Sequence, residues 1–251
     1  MKKLIATLLA LVMVLGLFAC SNAKDTATTT EATEKPTTEA TTLPANDGTV
    51  EGAMTYAEYM AAEMDSEVTV ACYVQATQSW WDNKITVYAA DKDGAYFIYE
   101  MACSEEDSKK LTPGTLIKVA GVKGAWAGEI EIMDAKFEFV ETEDKYVATA
   151  KNLTAELGSE NIINYQNQLV AFNGMTVKEI SYKNGEPGDD IYVTVSKDGA
   201  KYDFCVERYL TDPETEVYKT VGTLAVGDVV DITGFIYWYE GVNTHITAVS
   251  K

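Results

Sequence analysis

The chain has a single histidine, His245, in 251 residues. Histidine is the side chain most often used for proton transfer near neutral pH, so the shortage narrows the enzymatic readings at once. His245 falls in an alternating run over 242–249. Aligning Ile130 with Thr244 and Ile132 with Ile246 places it on the outer face of a strand, where a solvated histidine is expected. The chain also lacks His-Glu-x-x-His, Gly-x-Ser-x-Gly, Gly-x-x-x-x-Gly-Lys and Gly-x-Gly-x-x-Gly. Carboxylates are so numerous that any two can be paired on paper, so pairing proves nothing. No catalytic residue, cofactor or metal ligand is assigned, and the reading is non-enzymatic.

Cysteine and basic residues are also scarce. Of four cysteines, one stands near the N-terminus, leaving Cys72, Cys103 and Cys205 with no Cys-x-x-Cys pair. An odd number so spaced excludes a dense disulfide framework. Cys72 keeps phase with Val68, Val70 and Val74 and reads as a small core hydrophobe; one bridge, such as Cys72 to Cys103, stays open. Twenty basic residues face thirty-nine acidic ones, for a formal charge of −19. The excess holds in both halves, with eighteen acids to eight bases over 53–145 and fifteen to eight over 146–251. Binding a phosphate backbone uses Lys and Arg, so this balance sets nucleic acid aside as a partner. It equally disfavours contact with an anionic membrane face. The Asp91-x-Asp93-Gly94 run begins like a calcium loop, but its glycine comes too early and no glutamate stands at the twelfth position; a hairpin turn accounts for it. Asp189-Asp190 and the acids of 104–107 read as solvated faces.

At the N-terminus, Lys2 and Lys3 precede an apolar run from Leu4 to Phe18. That is the order of a secretory signal, and the run falls short of the roughly 20 residues a membrane-spanning helix needs. Leu17-Phe18-Ala19-Cys20 resembles the lipobox of bacterial lipoproteins. The resemblance implies that 1–19 is a removed signal peptide and that Cys20 becomes a lipidated N-terminus. The lipid would then hold the protein on the extracytoplasmic side of the cell membrane. Residues 20–52 follow as a Thr-rich stalk with almost no large apolar side chain, too poor in buried surface to offset the entropy of folding. Fully stretched, such a stalk reaches about 110 Å.

The remainder contains one pattern twice. Lys92-Asp93-Gly94-Ala95 recurs as Lys197-Asp198-Gly199-Ala200, and Leu111-Thr112-Pro113-Gly114 as Leu224-Ala225-Val226-Gly227. Gly121 pairs with Gly234 and Gly128 with Gly241 at the same offset as the second pair. Constant order with little drift marks an internal duplication, dividing the chain into 53–145 and 146–251. Each copy alternates with period two. The first reads as strands at 68–74, 85–88, 96–101, 116–122 and 129–139, with a helix start at Ser104. The second reads as strands at 169–177, 191–195, 202–206, 229–237 and 242–249, with a helix at 213–221. A helix over 56–64 precedes the first copy.

Three strands, a helix and two strands is the order of an OB-fold, and Leu111 to Gly121 looks like the segment leading through that family's fourth strand. The fold class expected is all-β: two tandem OB-like five-stranded barrels after a disordered stalk. A pair of β-sandwich domains is the rival. The OB resemblance implies ligands on the face of strands two and three and in the one–two and four–five loops, which is where the tryptophans fall. Trp80, Trp81, Asp82 and Asn83 lie in the first one–two loop, Trp126 in the first four–five loop, and Tyr237, Trp238 and Tyr239 in the second. Tyr88, Tyr96 and Tyr99 add aromatic surface on strands two and three. Flat rings suit sugar faces, bases and aliphatic side chains. The expected partners are a cell-surface glycan, an extended peptide or a protein of a surface complex. The rival reading of the same aromatics is packing within or between the barrels.

Overall fold

A computed structural model of the chain describes residues 50–251; the signal peptide, Cys20 and nearly all of the Thr-rich segment lie outside the described residues. Five strands form the first barrel: β1 (Glu67–Thr77), β2 (Lys84–Ala90), β3 (Ala95–Ala102), β4 (Leu116–Trp126) and β5 (Glu129–Phe139). They close in the order β1-β2-β3-β5-β4, with β4 returning onto β1. β3 and β5 run parallel, and the other pairs are antiparallel. A two-residue strand β6 (Lys151–Asn152) then leads to β7 (Leu169–Tyr182), β8 (Ile191–Lys197), β9 (Ala200–Val206), β10 (Val229–Trp238) and β11 (Val242–Ser250). These repeat the arrangement, with β9 and β11 parallel and β10 pairing back onto β7. Two closed five-stranded OB-like barrels result.

The alternation explains the closure. Val68, Val70, Cys72 and Val74 point into the first barrel, and Val170, Phe172, Met175 and Val177 into the second; all are buried. Each first strand is long and bulged, and its two halves serve different neighbours. β1 pairs with β4 over Glu67–Tyr73 and with β2 over Tyr73–Thr77. β7 pairs with β10 along its first half and with β8 along its second. Bulges give a sheet the extra twist it needs to close on itself.

Two of the glycine pairs that repeat in the sequence, Gly121 with Gly234 and Gly114 with Gly227, occupy matching places. Gly121 and Gly234 sit at the register shifts of β4–β5 and β10–β11. A Cβ at Gly121 would meet the Met133 carbonyl at 2.7 Å, and one at Gly234 the His245 carbonyl at 2.2 Å. No side chain fits where two backbones approach so closely. Before the fourth strand of each barrel, Gly114 N–H donates to Val74 O at 2.8 Å and Gly227 N–H to Val177 O at 2.9 Å. Val74 N–H returns to Thr115 O, and Val177 N–H to Asp228 O. The entry of each barrel is duplicated too, since Met54 bridges Val70 in parallel and Lys151 does the same to Val170.

Three short helices close the ends. α1 (Tyr56–Ala61) begins with a reciprocal cap: Glu58 N–H donates to Thr55 Oγ1 and Thr55 N–H to the Glu58 carboxylate. It stops three residues before the expected end at Met64. α2 (Glu105–Ser108) is capped by Ser104 and carries Glu105, Glu106 and Asp107 in its first turn, as the helix dipole favours. α3 (Glu216–Gly222) starts three residues later than expected because Thr215 is its cap. Cys72, Cys103 and Cys205 are all free thiols, so the Cys72–Cys103 bridge left open by the sequence is not formed. The segment joining the barrels is strapped to the first by Gln75, which donates to Tyr146 O and accepts from Ala148 N–H.

Lys123 is the feature that alternation hides. It is almost fully buried, and its Nζ donates to Tyr59 O, Met60 O and Ala62 O at 2.8–2.9 Å. Those carbonyls lie at the C-terminus of α1, where backbone acceptors outnumber helical donors, in a helix with no basic residue in its own last turn. Lys123→Met keeps the stem's volume and removes the three donors. It is expected to cost about 1–3 kcal/mol in urea unfolding and to expose α1 amides to hydrogen exchange first. A cost below about 0.5 kcal/mol would mean that α1 docks through Tyr59 alone.

Candidate ligand-binding groove at the barrel junction

The aromatic side chains divide into two sets, and the division lies at the junction of the barrels. In the first set Tyr88 of β2 is fully buried and stacks on Phe235 of β10, with centroids 4.4 Å apart and planes 14° from parallel. Phe97 of β3 meets Tyr237 edge-on at 5.4 Å, and Tyr237 stacks on His245 at 4.6 Å. Tyr88 Oη lies 2.8 Å from His245 Nδ1. Burial pushes His245 down to about 4 and the Tyr88 phenol upward. The imidazole is therefore neutral, and the pair shares one hydrogen bond. Two expectations are corrected here. Tyr88 is no ligand surface, because the second barrel covers it. His245 does point out of its own barrel, but into this seam and not into water.

The four–five loops are joined to each other. Glu240 N–H donates to Ala127 O at 2.8 Å, and Gly128 bridges Tyr239. A Cβ on Gly128 would meet the Trp238 ring at 2.6 Å, so Trp238, which packs on the core of its own barrel, also touches the first barrel, while Tyr237 belongs to the seam. Behind them Glu129 is fully buried. Its Oε2 accepts from Trp238 N–H at 2.6 Å, while its Oε1 has no partner. Gln166 supports the same corner: Ile130 N–H donates to its Oε1, and its Nε2 donates to Gly128 O. Burial, with Glu131 adding like charge along the strand, raises the Glu129 carboxyl to about 8. Burial raises Glu131 as well.

The second set is exposed: Trp81 at 73%, Tyr99 at 43% and Tyr209 at 51%. These three line one groove of about 370 Å³, together with Gln78, Lys84 and Glu100. Local folding sets each of them. Asp82 and Asn83 adopt left-handed conformations (φ 47° and 61°), forming a two-residue turn closed by paired hydrogen bonds between Trp81 and Lys84. The turn lifts Trp81 clear of the barrel. Asp82 and Asn83 therefore shape the loop and do not line the groove. Trp80, on the opposite side of the chain, points inward, packs on the first core and donates its Nε1–H to Cys103 O at 2.9 Å. Lys84 pairs with Glu100 at 2.7 Å, and Tyr99 Oη donates to Glu100 Oε1 at 3.2 Å, which fixes the floor. Tyr209 arrives from the second barrel. Ser79 N–H donates to Tyr209 O at 2.7 Å, and the Arg208 guanidinium lies over the Tyr209 ring at 5.0 Å.

The groove thus covers the strand-two/strand-three face and the one–two loop of the first barrel, with one wall lent by the second. Nothing in the spacing around Arg208 foretold Tyr209, since it joins the groove only once the barrels dock. Tyr96 is absent from it: buried, it donates its hydroxyl to Asp91 Oδ2, while Asp91 Oδ1 accepts from Asp93 and Gly94 N–H and closes the hairpin. Trp126 and Tyr239 are exposed at 64% and 54%, but on the joined loops and outside the groove. Among the described residues no three of His, Cys, Asp and Glu gather as a metal site, and no helix is long and apolar enough to cross a membrane.

No family model matches this chain, and no curated protein does. Solved structures do resemble it. A murine DNA-binding protein bound with double-stranded DNA shares 12% identity over 73% of this chain and 97% of its own, with a TM-score of 0.38. The p204 HINb domain shares 10% over 75% and 99%, with a TM-score of 0.35. The Ifi202 HINa domain in complex with double-stranded DNA shares 9% over 74% and 98%, with a TM-score of 0.32. These neighbours overturn one expectation. Two of these structures hold double-stranded DNA, against the expectation that sets nucleic acid aside as a partner. Local charge on a binding face, and not the total, decides such a partner.

The seam makes stability depend on pH in two directions. Glu129, raised from 4.5 to about 8, contributes stability that is full below its unfolded value and lost as pH rises through about 8. His245, lowered from 6.5 to about 4, contributes stability present above 6.5 and lost as pH falls through about 4. In denaturant titrations across pH, Glu129→Gln should gain on the unsubstituted protein steadily as pH rises from 4.5 towards 8. A difference that is the same at every pH would show that Glu129 is ionised in the fold.

Proposed function

We propose that this protein is a non-enzymatic binding module, anchored by a lipid on Cys20 at the extracytoplasmic face of the cell membrane, which holds an extended ring-bearing ligand in the junction groove. The observation that carries this reading is the convergence of Trp81, Tyr99 and Tyr209, all exposed, on one groove at the face where OB-like barrels take ligands. Exposing three large rings to water is unfavourable unless something covers them, and rings held apart by a rigid floor accept flat partners by stacking. The Lys84–Glu100 pair and Gln78 supply donors and acceptors at the edge. A glycan fits this chemistry, because a pyranose presents an apolar face and a rim of hydroxyls.

A second reading, single-stranded nucleic acid, is favoured by one specific observation: the cations nearest the rings, Lys84 and Arg208, flank the groove on both barrels. Stacked bases with phosphates towards those cations would use the same three aromatics. Binding rather than catalysis is part of either reading, since the one histidine is committed to the seam. The lipid anchor rests on the lipobox resemblance of residues 17–20.

Tryptophan fluorescence of the full chain, titrated with cell-wall oligosaccharides and separately with short oligonucleotides, tests both readings. A stacked ring contributes about 1–3 kcal/mol, so Trp81→Ala should weaken binding by roughly five- to a hundredfold. Trp126→Ala, outside the groove, should leave it unchanged. Saturation by saccharides alone selects the glycan, and saturation by oligonucleotides alone the nucleic acid. A flat response to both removes the groove reading.

A further inference from the structure

The outer face of the second barrel, at its β8–β9 hairpin, carries a different chemistry from the aromatic groove. Thr176 of β7 pairs with Ser196 of β8, and Ser196 with Lys201 of β9. The neighbours Val177 and Val195 are buried in the core, so these three project together from the outer surface, in a row with about 5 Å between side chains. Lys178 falls in the register shift between Val177 and Glu179, where a bulge re-aims a side chain. Lys197 closes the row at the hairpin. Its Nζ donates to Asn173 O at 3.0 Å and Gly174 O at 3.3 Å, which fixes the ammonium and leaves one of its three donors free. These residues line a depression of about 420 Å³.

Three lysines on one small face repel one another. Among the described residues none of the three has a carboxylate within 4.0 Å, although other lysines of this acid-rich chain form ten such contacts. The nearby acids are placed for other work. Asp198 makes the hairpin turn with φ 50°, and Asp231 accepts from Gly174 N–H. The next row outward holds Glu179, Thr194 and Asp203, with Asp203 accepting from Thr194. That acidic row borders the lysines on one side and would repel a long polyanion crossing it. A compact anion at the hairpin end meets three ammonium groups and two hydroxyls, with the single carboxylate of Asp198 also on the lining.

We infer that Lys178, Lys197 and Lys201, with Thr176 and Ser196, form a binding site for a compact phosphate-bearing ligand on the second barrel. The site is separate from the aromatic groove and does not depend on what that groove holds. Charge-assisted hydrogen bonds from several lysines to one phosphate are strong enough to compete with water when the cations are already gathered.

Inorganic pyrophosphate is the probe, titrated calorimetrically into the full chain at low ionic strength. Saturable binding is expected, weakened roughly tenfold or more in the double variant Lys178→Gln/Lys201→Gln. Both residues are exposed, so the fold should survive, and an unchanged thermal melt checks it. Lys136→Gln, an exposed lysine of the first barrel, should bind as the unsubstituted chain does. Absence of saturable binding, or an equal loss in Lys136→Gln, would overturn the assignment. So would tight binding of a duplex oligonucleotide that pyrophosphate fails to displace.

Discussion

The contact between Tyr88 and His245 is the one on which the functional geometry depends. Each side chain leaves its own barrel and is buried against the other, and the hydrogen bond between them is closed off by Phe235 and Tyr237. A buried polar pair of this kind tolerates little sliding, because a shift of an ångström or two leaves both groups desolvated and unpaired. Tyr209 stands opposite Trp81 and Tyr99 only while that register holds. The groove is therefore a product of docking, and the seam belongs to the site although no ligand touches it.

Glu129 and the joined four–five loops fix the same register from the far end. A buried carboxyl that accepts one backbone N–H and leaves its other oxygen unpartnered is costly as an anion, and its raised proton affinity answers that cost. The two barrels thus meet through aromatic stacking at one place and through a protonated acid at another. With apolar rings and neutral polar groups in the contact, two acid-rich domains can pack without bringing their charges together.

Duplication and divergence are both visible in the result. The two copies keep the backbone devices that close a barrel: a bulged first strand, a glycine at the close approach in the fourth, and a glycine turn bonded back to strand one. They differ on the outward faces, with exposed aromatics on the first barrel and lysines with hydroxyls on the second. The summed acidity of the chain conceals that difference.

The sequence by itself determined the two barrels. Period-two alternation, repeated turn glycines and capping residues are local signals, and a closed sheet is the way ten such strands bury one face each. It also placed Trp81 in a loop that reaches solvent and His245 on the outer side of its strand. Tertiary structure decided the rest, because burial between barrels is not encoded in the period of either. Tyr88, Tyr237 and His245 all face outward in their own barrels, and only docking turned that outward face into an interior. Tyr209 and Lys123 have no pattern to announce them. One acquires its role from a neighbour 130 residues away, and the other from three carbonyls at the end of a helix that its own strand never meets in sequence.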